Sequence, residues 1–141
     1  MPDSLQLRTG YYAKAKQYQE QGYLTVAISL IVPRWAAPFV DHRIAALAPS
    51  QSILDTLPDI ETYTRRYTSE VLSRLNPQKL YAEEIVHIAR LRGKSKAVLL
   101  CYEAPDKFCH RHLVADWFAA NGVPGITEIS PDELTTQGTL L

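Results

Sequence analysis

The chain has few cysteines: two in 141 residues, with one methionine and six glycines. That excludes a scaffold built on a disulfide framework, and two cysteines alone cannot complete a structural zinc site without histidines. No charge of one sign is in excess, since 15 basic residues balance 15 acidic ones. The balance excludes the footprint of a protein that binds long nucleic acid, although it leaves room for a local pocket holding a small anion. No apolar run approaches the length of a membrane span, so no membrane partner is expected. The opening "MPDSLQLRTGYY" lacks the apolar core of a secretory signal. The expected compartment is the cytoplasm, where thiols stay reduced, so a disulfide between Cys101 and Cys109 is the disfavoured reading. A Walker loop, a Gly-rich dinucleotide fingerprint and internal repeats are all missing.

What is present is a real core. Hydrophobic residues make up 46% and charged residues 21% of the chain, the values of a globular protein. The length suits one domain over 1–141. "YYAKAKQYQEQ" reads as a short helix stopped by Gly22. "YLTVAISLIV" is a nearly continuous apolar, β-branched run ended by Pro33, as in a strand covered on both faces. "PRWAAPFVDHRIAALAPS" reads as a long irregular segment, a length that in compact domains often carries function. Ile60, Tyr63, Tyr67, Val71 and Leu75 recur at steps of three and four, with Asp59 as N-cap, which predicts an amphipathic helix. Pro77 opens a second helix that Gly93 ends. "KAVLLCY" is the second buried strand, and "CHRHLVADWFAANG" is a helix with Leu113, Val114, Trp117 and Phe118 inward. "ITEI" supplies a third short strand, and "PDELTTQGTLL" reads as a loosely ordered tail. Helices alternating with buried strands predict an α/β fold, a small parallel sheet flanked by helices in a Rossmann-like three-layer sandwich.

Open parallel sheets bind ligands beyond the carboxyl ends of their strands. Two polar loops leave such ends. One carries Arg34, Trp35, Asp41, His42 and Arg43; the other carries Glu103, Asp106, Lys107, Cys109, His110 and Arg111. If the two strands are neighbours, the loops form one site. Cys109 and His110 fall in the first turn of a helix, whose unpaired N–H groups attract phosphate or carboxylate. Arg111 and Arg34 are the expected anion clamps. Glu103, Cys109 and His110 are the candidate chemical groups, since a thiol at a helix start ionises readily and a carboxylate or imidazole can move a proton. Trp35 and Cys101 are added as ligand contacts, although a buried cysteine ending a strand is also an ordinary packing residue. Each candidate has a structural alternative: Glu103 as the ion-pair partner of Arg111, Cys109 as a half-buried packing thiol, His110 as a solvent-facing cap residue. Trp117 and Phe118 sit at core spacing.

The stretch "LLCYEAPDKFCHRHLVADWF" resembles the signature of the domain of unknown function 488 family (DUF488). That signature is an apolar strand ending in Cys-x-Glu, a loop with proline, then Cys-His-Arg opening a helix. "ISLIVPRW" is similar to the family's first strand and Pro-aromatic loop. "IAALAPSQSIL" and "ETYTRRYTSEVLSRLNPQKL" resemble the intervening segments of the branch with a Leu-Ala-Pro-Ser element. Many members carry Asp-x-Arg at the end of the first strand; here the aspartate is missing and only Arg34 stands for the arginine. The resemblance implies an α/β fold with a candidate pocket and brings no settled reaction with it.

These readings converge on a protein that binds a small anionic molecule, such as a nucleotide or phosphorylated metabolite, with hydrolysis or group transfer as the natural reaction. The alternative is a ligand-sensing or interaction module without turnover. A third reading, thiol redox chemistry, requires the two sulfurs to come within bridging reach. No cofactor is expected. The cysteine and histidine spacing matches no recognised zinc pattern, so no metal is expected either.

Overall fold

A computed structural model describes residues 5–104 and 107–134. The chain runs through β1 (Gln6–Tyr11), a 3-10 turn (Tyr12–Lys14), α1 (Ala15–Glu20), β2 (Leu24–Ala27), β3 (His42–Arg43), α2 (Gln51–Leu54) and α3 (Ile60–Glu70). It continues through α4 (Pro77–Leu80), a π-type segment (Tyr81–Val86), α5 (His87–Leu91), β4 (Lys96–Cys101), α6 (His110–Ala120) and β5 (Thr127–Glu128). The strands form one parallel sheet in the order β3-β2-β4-β1-β5. Helices cover both faces, giving the expected three-layer α/β fold.

Side chains along β4 alternate between the two layers. Ala97 and Leu99 join the core with Tyr63, Tyr67, Ile85, Val114 and Phe118, under α3, the α4–α5 run and α6. Val98 and Leu100 join the other core with Tyr12, Ala15 and Tyr18 from the α1 side. A strand covered on both faces must be apolar at every position, which explains the unbroken run "AVLLC".

The segment read as irregular contributes a short edge strand, β3, beside β2, and the sheet departs from the sequence reading in two larger ways. β1 is a strand that composition concealed: "QLRTGY" is polar for a buried strand, yet it lies between β4 and β5. Its polar groups are satisfied laterally rather than by water. The Arg8 guanidinium bonds Glu133, and the Thr9 hydroxyl donates to Glu128 Oε1 at 2.5 Å. Gly10 is required by close approach, because a Cβ there would lie 2.5 Å from the Tyr18 hydroxyl oxygen.

Second, β2 ends at Ala27 rather than running to Pro33. Ile28 N–H still bonds the Leu100 carbonyl, and then the chain leaves the sheet. The carbonyls of Ser29 and Leu30 accept from Arg43 instead of a neighbouring strand, and Ile31 is exposed. An apolar run that looks like strand is thus spent partly on a loop, and that loop walls the cavity described below.

The helices lie close to where periodicity puts them. Asp59 caps α3 by accepting from Thr62 N–H. Asn76 caps α4, with Pro77 in its first turn. The expected helix through Leu75 stops at Glu70 and tightens to a 3-10 turn over Leu72–Arg74. "ITEI" contributes β5. Of the expected loose tail, 131–134 forms a helical turn; 135–141, like Asp106, lies outside the described residues.

Candidate functional site

β2 and β4 are hydrogen-bonded neighbours, so their two exit loops start side by side at one edge of the sheet. After β2 the chain crosses toward the layer that holds Ala36; after β4 it crosses toward α6 on the opposite layer. Exits that diverge from adjacent parallel strands open a crevice, the usual ligand position in such sheets. The crevice here is a cavity of about 220 Å³. Its walls are largely apolar: Leu30 and Ile31 from the β2 exit, Leu54 at the end of α2 and Leu57 just beyond it, Tyr63 from α3, and Tyr102 and Phe108 around the β4 exit. Its polar groups are Ser29, Gln51, Glu103, Cys101, Cys109 and His110.

The aromatic wall is ordered by ring contacts. Phe108 meets Tyr63 edge to face at 5.0 Å, Tyr63 stacks on Tyr67 at 6.0 Å, and Tyr67 meets the His110 ring at 5.3 Å. Burial pushes the Tyr63 and Tyr67 phenols well above their usual range, so both stay neutral. The Tyr67 hydroxyl donates to the Leu47 carbonyl at 2.6 Å. Ser29 Oγ donates to the Ile31 carbonyl at 2.8 Å and lies 2.6 Å from the Tyr12 hydroxyl, which must therefore be the donor of that second bond.

The candidates from the sequence divide into two groups. Glu103, Cys101, Cys109 and His110 all line the cavity. Glu103 is exposed at the rim, without a hydrogen bond or ion pair to any described residue. His110 is buried rather than the solvent-facing cap residue weighed above. Its Nε2 lies 2.7 Å from the Ile28 carbonyl, which can only accept, so Nε2 carries the hydrogen and Nδ1 keeps its lone pair. Burial, opposed by the Ile28 hydrogen bond, and the nearby Arg111 charge bring its pKa down to about 4. The ring is therefore neutral at pH 7, an acceptor rather than an acid.

Arg111, Arg34 and Trp35 do not join the cavity. Arg111 was the expected anion clamp, but it is fully buried away from the lining. Its Nε and one terminal nitrogen bond both carboxylate oxygens of Glu128 at 3.0 and 2.9 Å, and the other terminal nitrogen bonds Cys101 Sγ at 3.3 Å. A guanidinium removed from water must have its charge and donors satisfied, and β5 delivers the carboxylate that does so. The alternative partner, Glu103, sits instead on the cavity rim. Arg34 and Trp35 are exposed on the β2-to-β3 connection and are not among the lining residues.

The cysteines also differ from expectation. Cys101 ends β4, and Cys109 is the N-cap of α6 in an extended conformation, its side chain making no cap bond. The loop between them folds back so that the two sulfurs meet, and the structure joins them as a disulfide across a Cα separation of 7.0 Å. Cytoplasmic reasoning alone had left both thiols free. The two sulfurs and a ring nitrogen of His110 lie within 4.8 Å of one another, all buried, an arrangement of donor types that suits a soft metal ion. Sequence reasoning missed Ser29, Tyr63 and Phe108 as cavity walls and Glu128 as the arginine partner. Nothing local marks them, because each reaches the site through long-range packing.

A family model described as the active DUF488-N3 subclade, DUF488-N3a, matches residues 11–122, and the chain belongs to that family. No curated protein and no solved structure gives a match.

Proposed function

We propose that this DUF488-N3a protein binds a small molecule in the β2–β4 crevice, one with a flat apolar portion and an anionic group, and hydrolyses it or transfers a group from it. A nucleotide or phosphorylated nucleoside has that make-up. The observation that carries the reading is the placement of Glu103: the one carboxylate lining the cavity among the described residues, unpaired there, in a lining it shares with Cys109 and with His110 at the start of the 11-residue α6. The family model's own description as active favours chemistry over binding alone.

The roles follow from the chemistry of each group. The rings of Tyr63, Phe108 and Tyr102 offer the flat portion apolar contact. The unpaired amides of the first turn of α6 face the anionic part, since no arginine or lysine lines the cavity among the described residues. Glu103 takes or returns a proton. Cys109 becomes a nucleophile only after reduction of its bond to Cys101.

Differential scanning fluorimetry of the reduced protein over nucleosides, nucleotides and sugar phosphates tests the binding half, because a ligand of the native state raises Tm. Chromatography of product in wild type and Glu103→Gln tests the other half. Glu103→Gln is expected to keep the thermal shift and lower turnover by about 10²–10⁴. Undiminished turnover in that variant, or no stabilisation by any compound of these classes, would overturn the reading. Binding without turnover in the wild type would favour the sensing module.

A further inference from the structure

We infer that in its reduced form the chain holds a thiophilic metal ion, of the zinc class, through Cys101, Cys109 and His110, with an open coordination position toward the cavity. This goes beyond the proposed function, and it stands or falls whether or not any substrate is turned over.

The first support is the donor set. Two sulfurs and one imidazole nitrogen lie within 4.8 Å of one another, and all three residues are buried. Thiolates and imidazoles are the ligands that zinc selects over harder cations. Three protein ligands leave the fourth tetrahedral position vacant, which is how zinc sites that meet substrate or water differ from closed structural ones. All three residues line the cavity, so the vacant position opens into it.

The second support is what surrounds those donors. A metal-bound histidine ordinarily gives its other ring N–H to a carbonyl or carboxylate, which fixes its tautomer and aim. His110 does this already: Nε2–H goes to the Ile28 carbonyl at 2.7 Å, which leaves Nδ1 with the lone pair that a metal ligand needs. Thiolate ligands are steadied by donors to sulfur, and Arg111 supplies one to Cys101 at 3.3 Å. Arg111 is held there by both oxygens of Glu128. The buried guanidinium thus acquires a part that simple anion binding did not give it, as a positioning residue for a ligand.

The third support is spacing across the loop. The Cα atoms of Cys101 and Cys109 stand 7.0 Å apart, just beyond the roughly 4.4–6.8 Å that disulfides commonly span. Two sulfurs each about 2.3 Å from a tetrahedral zinc ion lie roughly 3.8 Å from each other, so reduction must come first. A phosphine or dithiol reductant supplies two electrons, solvent supplies two protons, and the S–S bond gives two thiols. Zinc then displaces both thiol protons to solvent as the two S–Zn bonds form.

The test is cobalt(II) and zinc(II) titration of the full chain, reduced with a phosphine and freed of metal beforehand. Cobalt is expected to bind at one equivalent per chain, with the visible d–d bands of tetrahedral coordination and the near-ultraviolet band of thiolate-to-cobalt charge transfer. Zinc should abolish both. Cys109→Ser should lose the charge-transfer intensity of one thiolate and weaken zinc at least tenfold against a chromophoric chelator. His110→Gln should weaken zinc similarly while keeping both thiolate contributions. His112→Gln, on the same helix but outside the cavity lining, should bind like wild type. Far-UV circular dichroism selects the variants that fold; should His110→Gln fail, Cys109→Ser and Cys101→Ser decide the matter. Absence of the thiolate band in reduced wild type, or equal zinc affinity in wild type and both serine variants, overturns the inference. So does a pair that only cycles between dithiol and disulfide in a thiol–disulfide buffer and never takes up metal, an outcome that would point to a redox switch.

Discussion

Cys101 stands between two regions that handle charge in opposite ways. On the β1–β5 side, charges are closed on one another: Arg111 with Glu128, Arg8 with Glu133, and Thr9 bridging to Glu128. On the cavity side, Glu103 has no described partner, the walls are apolar, and His110 is neutral. Both regions are built from polar and charged residues, and the sequence reading counts Arg111 on the one side and Glu103 on the other among its candidates. The difference teaches that partnership, more than residue type, separates scaffold from site. A paired buried charge has its donors committed, whereas an unpaired group at a cavity rim can still meet a ligand. Among the described residues, no buried side-chain nitrogen or oxygen is left without a hydrogen-bond partner.

The strongest way to break this contrast is to open the paired side. Arg111→Met leaves Glu128 uncompensated beside a fully buried position, and a loss of about 3–5 kcal/mol in urea-monitored stability is expected. Adding Glu128→Leu should recover a large part of it, since a buried pair replaced by apolar groups often costs little. A change under about 1 kcal/mol in the single variant would mean that Arg111 is not a structural residue.

A smaller effect is expected at the outer pair. Arg8 is nearly buried, but the Glu133 side chain is 42% exposed, so solvent screens the interaction. Glu133→Gln should cost on the order of 1 kcal/mol at neutral pH. The hydrogen bond from Arg8, helped by the Ser130 N–H, holds the Glu133 carboxyl down at about 2, against an ordinary 4.5. A depressed folded-state pKa gives stability that is present above the unfolded value and lost as pH falls through the folded one. The Tm gap between wild type and Glu133→Gln should therefore be full above pH 4.5 and close as pH falls toward 2. A gap independent of pH would show that packing, not charge, is lost.

The smallest effect sharpens the other half. Glu103→Gln should leave stability within about 0.5 kcal/mol, because it breaks no described hydrogen bond or ion pair. A large loss of stability there would make Glu103 scaffold after all. Arg34→Ala should likewise leave stability unmoved and, since Arg34 lies outside the cavity lining, leave any ligand-induced Tm shift intact.

Local physics made much of this readable in advance. Asp59 as a cap, Pro77 as a helix opening, the helix carrying Tyr63 and Tyr67, and the unbroken apolar run of β4 each follow from neighbours a few residues away. β1 did not follow, because Arg8 and Thr9 are made burial-worthy by Glu133 and Glu128, more than a hundred residues on. Nor did the early end of β2, since Ile28 to Val32 satisfies every local criterion for strand; only the carbonyl contacts from Arg43 and the needs of the cavity turn it aside.

The order of residues thus set the main helices, the buried run of β4 and the parallel character of the sheet, and it put Glu103, Cys109 and His110 near one strand end. Whether Arg111 would meet a ligand or a carboxylate, and whether two cysteines would touch, depended on how β5 and the loop after β4 docked. Periodicity and capping act over a few residues and are written in the sequence directly. The partner of a buried charge is whatever distant group the packed sheet brings within about 3 Å, and only the assembled fold makes that choice.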